Sequence, residues 1–203
     1  MDPRSLSAIQ RDALGEVGSI GAGHAATALS QMLGMPVDID VPDLQVLSLP
    51  EVPTVLGGPE NLVGAVYSRL LGDLGGGLLF VLERDAFLHL ADLLRSRAPG
   101  TSKSLGAAEE ATVTHAASVL LSAYLAAVAR LTELSTLPAP PEFAFDMSGA
   151  ILEGVTTQIG LKAETAILVL TRFSTLETSV DAALFYLPDP DSLDVMLGRL
   201  GVL

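Results

Sequence analysis

Residues 12–34 read DALGEVGSIGAGHAATALSQMLG, and this stretch decides the fold because a related stretch follows 99 residues later. Three anchors of the first stretch have counterparts at that offset: Glu16, Ser19 and Pro42 correspond to His115, Ser118 and Pro141. Both stretches are rich in small residues and have the spacing of a long helix. Because a duplicated unit fixes an architecture, the sequence predicts two related halves, of which only the first keeps its acids.

The two halves have a similar order of predicted elements. In the first half, we expect a helix from Ser5 or Ser7 to about Leu33, a strand at 37–41 that Pro42 interrupts at an edge or loop, a hairpin of strands 63–71 and 76–82, and a helix at 85–95 capped by Asp85. In the second half, we expect a helix at 105–134, a strand at 143–147, a helix at 148–159, strands at 164–173 and 179–187, and a helix at 191–200.

Residues 98–104, APGTSKS, are predicted to be a linker between repeat 1 (about 5–97) and repeat 2 (about 105–203). The strands of each half have an apolar sheet face that must be buried against other elements. Two halves that share one sheet and pack their long helices together bury these faces jointly. We therefore expect a single domain over residues 1–203 of the α+β class. It has a pseudo-twofold internal repeat, with two long helices packed on a shared, mainly antiparallel sheet. This symmetry is compatible with a monomer.

The composition excludes several classes of function. A net charge of −13 argues against nucleic acid and anionic membranes as partners. With no cysteine there is no disulfide or thiolate chemistry, and the three histidines are not at metal-ligand spacing, so we expect no metal and no cofactor of the chain's own. The uncharged stretches 17–37 and 111–129 contain too many polar residues for membrane insertion. Without a secretory signal pattern, we expect a cytoplasmic protein.

Asp12, Glu16 and Ser19 stand at i, i+4 and i+7 and therefore share one face of the first helix. Such a face binds a cation, recognises a basic residue of a partner or positions a water; the alternative is an ordinary solvated stripe. The glycines of 18–23 lie inside a helical pattern, which favours close helix packing over a phosphate-binding loop. His24, on an alanine-rich stretch, is expected to be at least partly buried.

The spacing Asp12-x3-Glu16-x2-Ser19-x22-Pro42 resembles the signature of the CheC/CheX/FliY family of bacterial chemotaxis phosphatases, and residues 16–29 are most similar to the CheC form. The resemblance covers essentially the whole chain. It implies hydrolysis of the aspartyl phosphate on a CheY-type response regulator. In that reaction Glu16 engages a lysine of the regulator, and the residue at position 19 orients the attacking water. The retained Asp12, Glu16 and Pro42 are the expected partner-binding residues. The required Mg²⁺ belongs to the regulator, and a CheD-like deamidase is a second implied partner.

The sequence departs from the family signature in two places. Ser19 stands where the family has Asn, and Ala111, His115 and Ser118 stand where the second site would have an acid, Glu and Asn. We expect the second site to be inactive. Three hypotheses remain: a phosphatase weakened by Ser19, a non-catalytic module that docks a receiver domain or a CheD-like deamidase, and an unrelated α+β protein. The middle domain of FliM, a switch scaffold with the family fold, exemplifies the second.

Overall fold

The computed structural model describes residues 6–158, 165–175 and 179–203, apart from the side chains of residues 41–43, 158 and 165. The helices are α1 (Ala8–Leu33), α2 (Val52–Val55), α3 (Arg84–Leu94), α4 (Ala107–Thr132), α5 (Ser148–Gln158) and α6 (Ser192–Arg199). The strands are β1 (Asp38–Ser48), β2 (Leu62–Gly72), β3 (Gly76–Glu83), β4 (Thr136–Pro138), β5 (Glu142–Met147), β6 (Thr165–Ser174) and β7 (Ser179–Pro188).

The described strands form one antiparallel sheet in the order β1-β6-β7-β3-β2-β4, with β5 also paired to β2. The first long strand of each half pairs with the opposite half, since β1 lies beside β6 and β5 lies beside β2. If β1 is exchanged with β5, β2 with β6 and β3 with β7, the same order of these six strands results, read from the opposite edge of the sheet. The predicted α+β class with a shared antiparallel sheet is confirmed, and this topology supports the predicted repeat.

The two long helices match each other in length and position. Each has 26 residues, their starts and ends are both offset by 99, and each ends in a left-handed residue. That residue is Gly34 (φ 67°) after α1 and Glu133 (φ 56°) after α4. A non-glycine residue in this conformation is uncommon. The shared ending therefore reflects the geometry of the turn and not the residue type that occupies it.

Helices cover both faces of the sheet. A larger apolar cluster joins one face to α1, α3, α4 and α6, and a smaller cluster joins the other face to α2 and α5. Strand β3 is buried along its length up to Glu83, because it lies in the middle of the sheet under both layers. The second helical layer was not predicted, since α2 falls in a connection that proline residues made look irregular.

Two predicted boundaries are wrong. Strand β1 does not stop at Pro42 but continues to Ser48, with a register shift between Asp40 and Asp43. A proline is tolerated there because β1 is an edge strand with an irregular ladder. Helix α3 begins after Glu83, and Asp85 lies in its first turn without capping it. The predicted boundaries at Ser5, Ile159 and Glu164 lie outside the described residues.

Among the described helices, α4 alone is long and apolar enough to cross a membrane, and half of its most apolar window is buried inside the structure. Ala116 and Ala117 have no exposed surface, and the helix packs against α1 over much of its length. These contacts are those of a core helix, and they account for its composition.

Candidate functional site

The N-terminal turn of α1 is held by a capping box and by the C-terminal end of the chain. The Ser7 hydroxyl accepts from the Gln10 backbone N–H (3.3 Å), and the Gln10 side-chain oxygen accepts from the Ser7 N–H (2.9 Å). The Gln10 amide also donates to the carbonyl of Val202 (3.0 Å). Together these bonds satisfy amides that a helix start leaves free. The N-terminal end of α1, one turn before Asp12, is therefore held in a fixed position.

The buried face of α1 depends on two glycines. A Cβ atom built on Gly21 would overlap the ring of Tyr124 in α4, and one built on Gly18 would lie 3.3 Å from Leu44 and 3.4 Å from Val169. The interpretation of these glycines as close-packing residues is confirmed. Burial raises the pKa of Tyr124 to about 12, so the ring that fills this space is neutral at physiological pH.

The opposite face of α1 carries Asp12, Glu16 and Ser19, all of them exposed. Among the described residues, none forms an ion pair with either carboxylate. The neighbouring Arg11 turns away and donates from Nε and Nη2 to the carbonyl of Leu6 (3.2 and 3.1 Å). The structure thus brings the three predicted residues together and leaves both carboxylates available to a basic partner.

Strand β1 returns alongside α1 and brings its backbone to the level of Ser19. The proximity of Leu44 to Gly18 places this part of β1 beside the same helical turn. The side chain of Pro42 lies outside the described part of the chain, so its predicted contact with a partner stays a prediction.

The corresponding residues of α4 line an open cleft of about 460 Å³. His115, Ser118 and Pro141 meet there, as their spacing predicted, beside Ala111. The cleft is completed by Ala107, Glu110, Thr114 and Phe143. The geometry of the second site is therefore present, but imidazole and methyl groups replace the two carboxylates of the first.

Two residues of α1 differ from their sequence interpretation. Ile9 fits the apolar spacing of the helix, yet 68% of its surface is exposed. His24, expected to be at least partly buried, is exposed. A signal for Ile9 was present in the sequence, because it lies three residues before Asp12 and hence on the exposed face. Ile9 thus adds an apolar side chain to the acidic surface.

Comparison with known sequences gives two matches that concern this site. A model of the CheC-like family matches residues 9–45, which contain Asp12, Glu16, Ser19 and Pro42. The chain is also 32% identical, over 199 residues, to the protein named CheY-P phosphatase CheC of Bacillus subtilis (strain 168), an alignment that covers 95% of this chain and 94% of that protein.

Comparison with solved structures supports the fold. The X-ray structure of Thermotoga maritima FliY aligns with a TM-score of 0.80 at 18% identity, covering 97% of this chain and 98% of that one. The CheX chain in the CheX–CheY–BeF3–Mg²⁺ complex from Borrelia burgdorferi, a smaller protein, aligns with a TM-score of 0.51 at 15% identity, covering 84% of this chain and 96% of that chain.

Proposed function

The chain belongs to the CheC-like family, and on that premise we propose that it hydrolyses the aspartyl phosphate of a CheY-type receiver domain. The observation that carries the proposal is the exposed face of α1, where Asp12, Glu16 and Ser19 lie together and neither carboxylate forms an ion pair with a residue that the structure describes. The Bacillus subtilis relative is named for this reaction, which supports the class of substrate.

Glu16 and Asp12 recognise the receiver in this proposal. A basic residue next to the phosphorylated aspartate would meet two carboxylates with which no cation in the described part of the chain forms an ion pair. The net charge of −13 strengthens the attraction at long range and steers the encounter, with the largest effect at low salt. The complex of a CheX protein with CheY, BeF3 and Mg²⁺ supports a receiver domain as the partner.

Ser19 positions the attacking water. Its hydroxyl oxygen accepts a hydrogen bond from the water, which leaves a lone pair of the water directed at the phosphorus. The water oxygen bonds to phosphorus as the bond from phosphorus to the aspartate oxygen breaks, so the carboxylate is restored and orthophosphate leaves. Mg²⁺, held by the receiver, offsets the charge on the phosphoryl oxygens. Phosphoryl transfer needs little from the phosphatase beyond this placement.

The face formed by His115, Ser118 and Pro141 has no catalytic role in the proposal. It keeps a hydroxyl, but His115 stands in place of Glu16, and Glu110, the carboxylate that lines this cleft, lies five residues earlier in α4 and does not occupy the matching position. The protein has one working face and one structural copy, and it acts in the cytoplasm.

One observation favours a second candidate function. The Ser19 hydroxyl has one bond fewer than an asparagine amide, and its polar atom lies ~1 Å closer to Cβ. A misplacement of about 1 Å can cost on the order of 100-fold in rate. A chain that keeps Asp12 and Glu16 but loses this reach is a docking module. It would bind a receiver domain, or a CheD-like deamidase, without efficient hydrolysis.

Docking is tested with a CheY-type receiver carrying beryllofluoride and Mg²⁺. Glu16→Ala should weaken binding at least 10-fold, because it removes the carboxylate that pairs with a basic residue of the receiver and leaves that residue without its partner. Glu153→Ala, which removes an exposed acid from α5, is the matched control and should bind like the unaltered protein. Equal affinity of all three proteins would remove Glu16 from the interface and overturn the assignment.

A further inference from the structure

Not every glycine of α1 is needed inside the protein. We infer that Gly23, one turn beyond Ser19, leaves the part of the exposed face next to Ser19 without a side chain, so that the receiver approaches closely enough for the short Ser19 hydroxyl to reach the attacking water. The inference rests on the proposed function and identifies a positioning residue for it.

The surroundings of the helical glycines separate them into two groups. Gly18 and Gly21 face the core, where an added Cβ would press on neighbouring side chains. Gly15 and Gly23 have no atom within 4 Å of such a Cβ, and neither has the positive φ that favours glycine. Glycine in a helix interior is less stable than alanine. Neither internal packing nor backbone conformation accounts for Gly23.

The position of Gly23 suggests what it serves. It is exposed and lies four residues after Ser19, so the two positions are neighbours on the face that carries Asp12 and Glu16. A methyl group at position 23 would stand beside the Ser19 hydroxyl and hold the receiver away from it. Because the hydroxyl reaches ~1 Å less far than an amide, close approach matters more in this chain than in one with asparagine.

The face of α4 provides an internal comparison. At the 99-residue offset, Gly15 and Gly23 correspond to Thr114 and Ser122. Ser122 is exposed, and its hydroxyl donates to the carbonyl of Ser118 (2.8 Å). Helix α4, which has no carboxylate at positions 111 and 115, also has side chains at positions 114 and 122, where α1 has glycine. The open surface next to position 23 is therefore found on the face proposed to dock the receiver and not on the corresponding face of α4.

The experiment compares Gly23→Ala with Gly154→Ala, a matched change of an exposed helical glycine in α5 that also has open space around it. Both variants should gain thermal stability, with Tm rising by about 2–4 °C. Only Gly23→Ala should slow receiver dephosphorylation, by 10-fold or more. A loss of activity in a more stable protein cannot come from damage to the fold.

A second comparison tests the link to Ser19. In a Ser19→Asn background the longer amide reaches the water from further away, so the loss caused by Gly23→Ala should shrink to about 3-fold or less. An equal loss in both backgrounds would overturn the role of Gly23 in helping the short hydroxyl.

The outcomes distinguish this inference from the proposed function. Unaltered protein that accelerates receiver decay, together with a Gly23→Ala variant that does the same, overturns the inference alone. If the unaltered protein does not accelerate receiver decay, the inference is tested by affinity for a receiver carrying beryllofluoride. Weaker binding by Gly23→Ala than by the unaltered protein supports the inference, and equal binding overturns it. Unaltered protein that neither binds nor accelerates overturns the proposed function and the inference with it.

Discussion

Ser19, the residue proposed to position the attacking water, lies on a face of α1 whose members could be predicted only in part from the sequence. The common face of Asp12, Glu16 and Ser19 was predictable because helix geometry fixes the direction of i, i+4 and i+7. The same geometry places Ile9, three residues before Asp12, on that face, whereas the exposure of His24 was not predictable in this way. Apolar spacing identifies a stripe, but the contacts of the folded helix decide which members of that stripe reach the core.

Replacing the hydroxyl by the family amide should improve catalysis. Ser19→Asn places a hydrogen-bonding group ~1 Å further out, and we expect receiver dephosphorylation to become 10- to 100-fold faster. Ser118→Asn, the same change on the α4 face, should leave the rate unchanged because that face lacks a carboxylate at position 115. Receiver decay measured for both variants checks this. No response to Ser19→Asn would mean that the α1 face does not position the water.

At the scale of elements, the long helices and central strands were predictable from periodicity, whereas the irregular pieces were not. Helix α2 has four residues and strand β4 has three, too few to give a periodic signal. The extension of β1 past Pro42 depends on its position at the sheet edge, which is a property of the assembled sheet. Sequence alone placed a strand end where the folded structure has a register shift.

The contact of α1 with α4 should be sensitive to one methyl group. Gly21→Ala would force a Cβ into the ring of Tyr124, and overpacking of this kind costs about 1–3 kcal/mol. We expect the Tm to fall by several degrees, about 2–4 °C for each kcal/mol. Thermal unfolding checks this, with Gly154→Ala as the control that should move in the opposite direction. An unchanged Tm for Gly21→Ala would show that the two helices do not pack as closely as described.

The linker between α3 and α4 is tied to α3 by Asp92. This carboxylate is fully buried and accepts from the Ser102 backbone N–H (3.1 Å) and hydroxyl (2.7 Å). Burial alone would raise the pKa of Asp92, but the hydrogen bonds from Ser102 and from the backbone of Thr101 and Gly100 outweigh it and lower the pKa below its usual value. The ionised form is therefore the one that the folded state favours.

Asp92→Asn should destabilise the protein at pH 7 by about 1–3 kcal/mol, because charge-assisted hydrogen bonds are lost in a buried place. A lowered pKa stabilises the fold above the unfolded value of about 3.9 and ceases to do so as pH falls through the folded value. The difference from the unaltered protein should consequently narrow below pH 4. Denaturant unfolding at several pH values measures it, and a difference that persists unchanged at low pH would contradict the role of the charge.

At the scale of the whole molecule, the two halves are joined through their strands. Strand β1 finds its described partner in the second half and β5 finds its own in the first. Arg69 of β2 also holds Asp189, next to β7, through two hydrogen bonds of 3.0 and 2.6 Å. The sequence predicts a repeat, but it does not predict this exchange of strands, since alternation of apolar residues does not specify the partner of a strand.

Because of this exchange, neither half should fold alone. Fragments 1–97 and 105–203 should each lack a cooperative unfolding transition, since each leaves its outer strands without a partner and one side of both of its central strands unpaired. When they are mixed, circular dichroism and thermal melting should show recovery of a folded complex. A cooperative transition in either isolated fragment would show that the halves are separate domains and would overturn the prediction of a single domain.

The central claim is that the α1 face catalyses dephosphorylation, and the decay of an acyl-phosphorylated CheY-type receiver tests it most directly. The decay is measured alone, with the unaltered protein, with Glu16→Ala and with Glu153→Ala as the charge-matched control. We predict faster decay with the unaltered protein and with Glu153→Ala, and no acceleration with Glu16→Ala. Unchanged decay in the presence of protein that still binds the receiver would contradict the claim and establish a docking module without the chemistry.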